Sequence, residues 1–228
     1  MVRHLSELLN APAILGVYSR LLVDLNRPAG TDLLFPDIGE GHPIAMNQNM
    51  SDKEKHDRVA RFFTPYHDAA SANIDRVMQA GHVPFVIALH SFTPEFHGSA
   101  RPWHFGLTWI QDDRLPRRMI QGLKNKGFTV GEHEPYDSRM LRDMSLENHA
   151  DGHGLPNAFI ETRNDQILLE SGQHHVAEVF AEILSPLLGD PDIHRPYQGD
   201  PLPRDIAAET LYIQNHMRTR SDHERGQP

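Results

Sequence analysis

Three apolar runs in this chain each end on residues able to do chemistry. Leu21-Leu22-Val23 leads into Asp24-Leu25-Asn26-Arg27-Pro28, Phe85-Val86-Ile87-Ala88-Leu89 into His90-Ser91-Phe92, and Asn157-Ala158-Phe159-Ile160 into Glu161-Thr162-Arg163. Short apolar runs of this kind read as buried strands. In an open α/β sheet, ligands bind beyond the carboxyl ends of the strands, where side chains from separate strands converge. An Asn-Arg pair, a His and a Glu are therefore expected at one sheet edge. That set suits holding a carboxylate substrate while a metal-activated water attacks an amide carbonyl.

Each residue has its own chemical warrant. The Arg27 guanidinium offers a planar fork that matches a carboxylate, and Asn26 beside it adds a donor or acceptor. The competing arrangement is an Asp24–Arg27 pair that fixes the turn before Pro28. His90 follows five apolar residues, so its ring is expected to be partly desolvated, and a neutral imidazole is a good zinc ligand. Ser91 can orient that ring or the substrate, or close an ST-turn before Thr93-Pro94. The Glu161 carboxylate can take a proton from an attacking water. Arg163, two residues on along an extended chain, points to the same side and can pair with Glu161 or polarise a carbonyl oxygen. Weaker candidates are Tyr18-Ser19-Arg20, Tyr66-His67, Arg101-Pro102-Trp103-His104, Glu134-Pro135-Tyr136 and His149. Arg20 and Arg101 would add positive charge to an anion pocket, and Tyr136 a donor to an oxyanion. No glycine-rich phosphate loop, nucleophile elbow or His-Glu-x-x-His helix is present, which counts against nucleotide, serine-hydrolase and thermolysin-like chemistry.

The elements that must position these residues follow from periodicity. Val2, Leu5, Leu8 and Leu9 lie at helical spacing before Pro12. Ser51 with Glu54 reads as a capping box. The apolar face from Val59 to Met78 predicts a helix, kinked at Pro65 and closed by Gly81. After the strand ending in Leu89, a second strand is expected between Trp103 and Ile110, and then a helix carrying Leu115, Met119, Ile120 and Leu123 up to Gly127. A short strand at Phe128–Val130, a helix capped by Asp143 and running to His149, and a helix over 173–188 complete the pattern. Helices alternating with short apolar runs predict an α/β fold with a mixed, mainly parallel sheet covered by helices on both faces. Residues 1–188 form the expected domain. Residues 189–228 read as a peripheral tail with a weakly amphipathic stretch at Ile206–Met217 and a disordered end.

Composition bounds the partners. The 228 residues carry a formal charge of -9 with Lys and Arg scattered singly, which argues against a nucleic-acid partner. There is no Cys, so a metal would have to be held by carboxylates and by some of the 16 His. No segment has the length and apolarity of a membrane span, and the N-terminus lacks the zones of a signal peptide, so a soluble cytoplasmic protein is expected.

From Met1 to Leu188 the chain resembles the N-formylglutamate amidohydrolase family. The likeness is carried by YSRLLVDLNRP, PYHDA, VIALHSFTP, RPWHFG, EPY and HADGHGLPNAFIETRND. The resemblance implies a zinc exopeptidase-like fold and hydrolysis of N-formyl-L-glutamate, or a similar N-acyl amino acid, to formate and the free amino acid. Matched by motif, it places carboxylate binding on Asn26 and Arg27, zinc ligation on His90 and the general base on Glu161. Ser91 and Arg101 are assigned to substrate binding, and Arg163 or Arg101 to charge balance during catalysis. The family pattern is expected to start upstream of this chain with a strand and a His-bearing metal segment. The alternative is a catalytically inactive relative that binds a small carboxylate without metal.

Overall fold

A computed structural model describes residues 1–39, 42–141 and 144–199. Its centre is a four-stranded sheet of β3 (Val86–Phe92), β6 (Phe105–Thr108), β7 (Val130–Glu132) and β8 (Asn157–Arg163), in the order β3-β8-β6-β7. β3 runs parallel to β8, β6 antiparallel to β8 and β7 parallel to β6, giving the mixed, mainly parallel sheet expected. Two minor ribbons, β1 (Ile38–Gly39) with β2 (His42–Pro43) and β4 (Glu95–Phe96) with β5 (Ser99–Ala100), lie outside it.

Successive side chains of a strand point to opposite faces, and the two faces of this sheet carry separate cores. On one face Ile87, Leu89, Ala158 and Ile160 pack with Leu5 of α1 (Val2–Leu9), Leu115, Met119 and Leu123 of α4 (Arg114–Asn125) and Phe180 and Leu184 of α6 (Glu170–Leu184). On the other, Val86, Ala88 and Phe159 meet Ile74 of α3 (Thr64–Gln79) and Leu146 and Ala150 at α5 (Met144–His149). A third cluster of Val23, Leu34, Phe35 and Phe63 lies under the long N-terminal connection.

Local chemistry sets the ends of these elements. Ser51 Oγ accepts from Glu54 N at 3.2 Å and starts α2 (Asp52–Arg58), while the Glu54 carboxylate turns to Arg58 at 2.6 Å instead of closing the box. Where Pro65 removes a backbone donor, the helix widens into a π-helical turn at Val59–Phe63 and continues as α3. α4 ends with Gly127 at φ 87° and Phe128 N donating to Leu123 O at 3.1 Å. This bond draws Phe128 into the helix end, so β7 begins at Val130 rather than Phe128.

Two expectations are corrected. Leu21-Leu22-Val23 is not a strand: Leu22 N bonds back to Ser19 O at 2.9 Å, Asp24 Oδ1 accepts from Asn26 N at 3.0 Å, and the segment from Ala11 to Thr31 folds as turns and extended coil. The final helix begins at Glu170 and ends at Leu184, followed by a 3₁₀ turn at Ser185–Gly189. Beyond it, Ile193 is buried in the main core, His194 Nδ1 donates to Val83 O at 2.7 Å, and Tyr197 N donates to Gly154 O at 2.7 Å. Asp143 and the stretch at Ile206–Met217 lie outside the described residues. No described helix is long and apolar enough to cross a membrane.

Candidate active site

Strand register decides what meets at the site. His90 and Glu161 are neighbours across the parallel β3–β8 pair, and they share the face that carries Val86, Ala88 and Phe159. The His90 ring stacks on Phe159 with centroids 4.6 Å apart. Beside Glu161 on β6 lies Gly106, where any Cβ would overlap the Glu134 carbonyl oxygen. The missing side chain lets the loop after β7 close down on the sheet and bring Tyr136 over the same face.

The turn at residues 24–27 supplies the other wall. Asp24 and Arg27 are only 4% and 6% exposed. Asp24 accepts from Arg20 Nη2 at 2.5 Å and lies 3.9 Å from Arg27 Nε, so one buried carboxylate faces two guanidiniums. Asn26 Oδ1 accepts from Met144 N at 2.8 Å and from Ser145 N at 3.3 Å, satisfying two of the orphan donors at the start of α5. Arg58, also buried, fixes the approach to the turn by donating to Leu22 O, Met46 O and Asn47 Oδ1 at 3.1, 2.7 and 2.7 Å.

Arg20, Asp24, Asn26, Arg27, His90, Tyr136, His149 and Glu161 all line one cavity of about 670 Å³, open to solvent on one side, with apolar walls from α1, α3 and β3. Burial, reinforced by the charges of Arg20 and Arg27 and opposed by Asp24, holds the His90 pKa down at about 4. The imidazole is therefore neutral at pH 7, with a ring nitrogen able to accept a proton or hold a cation.

Four of the expected site residues converge here and three do not. Asn26, Arg27, His90 and Glu161 line the cavity. Ser91 lies on the opposite strand face and is exposed. Arg163 does not pair with Glu161: its guanidinium donates to Asp165 at 2.7 and 3.1 Å and to the Arg101 and Pro102 carbonyls at 3.2 Å, so it clamps the end of β8 to the loop before β6. Arg101 lies outside the cavity wall, over the rings of Phe96 and Tyr136 at 4.4 and 5.1 Å. It donates to the Tyr136 hydroxyl at 3.3 Å, which leaves the phenolic proton for an acceptor in the cavity. Thr108, Ser138 and Ser145 also line the cavity. No spacing in the sequence marks them, because they come from three separate places, the end of β6, the loop after β7 and α5.

The zinc implied by the resemblance has two donors on this wall, the His90 ring nitrogens and the Glu161 carboxylate. Among the described residues no group of three His, Asp or Glu side chains comes together to hold a metal. A three-ligand centre is not completed by the described set.

The fold is similar to those of known proteins. The chain is similar to the crystal structure of gene product Atu2144 from Agrobacterium tumefaciens, with 30% identity, a TM-score of 0.74 and coverage of 84% of this chain and 76% of that one. It shares its fold with the N-formylglutamate amidohydrolase of Ralstonia eutropha, at 18% identity, a TM-score of 0.52 and coverage of 81% and 80%. Comparison with curated proteins gave no match. The family model for N-formylglutamate amidohydrolase matches residues 1–168, a span that takes in the 24–27 turn, both site strands and most of the cavity lining, and on this match the chain belongs to the N-formylglutamate amidohydrolase family.

Proposed function

We propose that this chain hydrolyses the amide bond of a small N-acyl amino acid, with N-formyl-L-glutamate as the first substrate to test, releasing formate and L-glutamate. The observation that carries the reading is the convergence of a buried carboxylate, Glu161, a neutral imidazole, His90, and the Arg27–Asn26 turn on a single cavity. Family membership supports hydrolase chemistry at that place.

Arg27, with the Asn26 amide beside it, takes the substrate carboxylate, and Arg20 at the cavity wall adds a second cation. Glu161 takes the proton from the attacking water and passes it to the leaving nitrogen as the C–N bond breaks, and His90 hydrogen-bonds that water or the leaving nitrogen. Negative charge growing on the carbonyl oxygen is met by the Tyr136 hydroxyl, whose proton is turned away from Arg101, and by the Arg20 guanidinium.

A second reading is a carboxylate-binding relative without chemistry, in which Arg20 and Arg27 at the cavity wall bind the anion. Formate release separates the two. The purified full chain is incubated with N-formyl-L-glutamate, with and without added zinc, and formate is quantified. Formate and L-glutamate in equal amounts support hydrolysis. A raised melting temperature in the presence of L-glutamate with no formate under either condition supports the binder.

A further inference from the structure

Behind the 24–27 turn, two buried histidines form a hydrogen-bonded chain. His67 Nε2 lies 3.0 Å from the Leu25 carbonyl, His67 Nδ1 lies 2.8 Å from His149 Nε2, and His149 Nδ1 lies 3.2 Å from Ser71 Oγ. His67 and His149 are 8% and 6% exposed, and their rings stack at 5.1 Å.

Each proton in this chain has one place. A carbonyl only accepts, so His67 Nε2 carries hydrogen. Burial lowers the pKa of His67 and holds that of His149 at about 4, so both rings are neutral near pH 7. A neutral His67 protonated at Nε2 has a bare Nδ1, which accepts from His149 Nε2–H. His149 then has a bare Nδ1, which accepts from the Ser71 hydroxyl. The order runs from the Ser71 hydroxyl through His149 and His67 to the Leu25 carbonyl, with every polar atom in it satisfied.

The chain closes a triangle. His67 and Ser71 are one helical turn apart on α3, and His149 is the last residue of α5. Leu25 lies between Asp24 and Asn26 in the turn, and the Asn26 side chain is already tied to the first residues of α5. α3, α5 and the turn therefore fix one another through side-chain bonds at both ends of α5. Arg27 and Asn26 have no ladder of strand hydrogen bonds to hold them, since the turn lies in no sheet.

We propose that His67 and His149 are positioning residues, whose fixed proton order holds the 24–27 turn in the arrangement that grips a substrate carboxylate. The KM part of the test rests on the hydrolase reading, whereas the exchange and tautomer parts do not. In His149→Leu the His67 Nδ1 acceptor is left buried without its donor. Amide hydrogen exchange at residues 24–27, followed by mass spectrometry, is expected to speed up about tenfold, the scale of one lost buried hydrogen bond. KM for N-formyl-L-glutamate is expected to rise by about the same factor with kcat within about twofold. His149→Gln, whose amide NH2 can take the place of Nε2–H, restores both. Leu184→Ala, in the core on the far side of the sheet, lowers the melting temperature without a selective effect on 24–27. In the wild type, long-range ¹H–¹⁵N spectra at pH 7 are expected to show both rings as Nε2–H tautomers, a readout that needs no variant to fold. The proposal is overturned if either ring is the Nδ1–H form or charged. It is also overturned if His149→Leu leaves 24–27 exchange unchanged, or if Leu184→Ala accelerates it equally. A wild type that releases no formate but shows the expected exchange and tautomers counts against the hydrolase reading alone.

Discussion

Asn26 does two jobs in one side chain, and its variants should separate them. Its Oδ1 satisfies Met144 N and Ser145 N at the start of α5, while its backbone places Arg27 at the cavity. Asn26→Ala removes an N-terminal helix acceptor and is expected to cost about 0.5–2 kcal/mol in denaturant unfolding, with Asn26→Asp close to wild type. Ser91 gives the opposite test. It lies on the strand face turned away from His90 and is exposed, so Ser91→Ala should leave kcat and KM within about twofold of wild type. The types of residue at the site were legible in the sequence: Asn26, Arg27, His90 and Glu161 stand at the ends of apolar runs and meet in one cavity. Their neighbours were less so. In an extended chain Glu161 and Arg163 share a side, yet Arg163 finds Asp165 and two carbonyls from the loop before β6, partners that no local spacing shows.

At the scale of elements, the histidine pair joining α3 to α5 makes stability depend on pH. Unfolded, a histidine takes up its proton near 6.5; folded, His149 does so only near 4, because of burial and then the neighbouring His67 and His153. His67 is shifted the same way by burial, against the Leu25 carbonyl and Asp68. Below pH 6.5 the unfolded state therefore binds more protons, so stability is full above that value, falls as pH drops toward about 4, and loses nothing further from His149 below it. A melting series from pH 7 to 4 should show this decline, and His149→Gln should flatten it. A slope equal in the two proteins would contradict the assignment. The strands at 86–92 and 157–163 and the helices of the two sheet faces follow from apolar periodicity. The turn at 19–27 does not, because its shape is set by Ser19 and Asp24 bonding to nearby backbone and by Arg58, which reaches Leu22 from 36 residues away. A run such as Leu21-Leu22-Val23 can bury Val23 in a loop cluster without joining a sheet.

For the whole molecule, the residues that carry stability and those that carry chemistry are largely different ones. Phe180, fully buried and 5.3 Å from Phe105 between ring centroids, belongs to the core under α4 and α6 and does not line the cavity. Phe180→Ala is expected to cost about 3–5 kcal/mol by chemical denaturation, with KM little changed in protein that remains folded. The mixed, mainly parallel sheet was legible from the alternation of helices and apolar runs. The pairing of His90 with Glu161 was not, since register arises only when strands some 70 residues apart in the chain are laid side by side. That register makes the central claim testable. The most direct measurement is steady-state formate release from N-formyl-L-glutamate by the wild type, Arg27→Ala and Glu161→Gln in parallel. Arg27→Ala should act mainly through KM, whereas Glu161→Gln should lower kcat by about a hundredfold or more with KM nearly unchanged. A Glu161→Gln variant as active as the wild type would contradict the account.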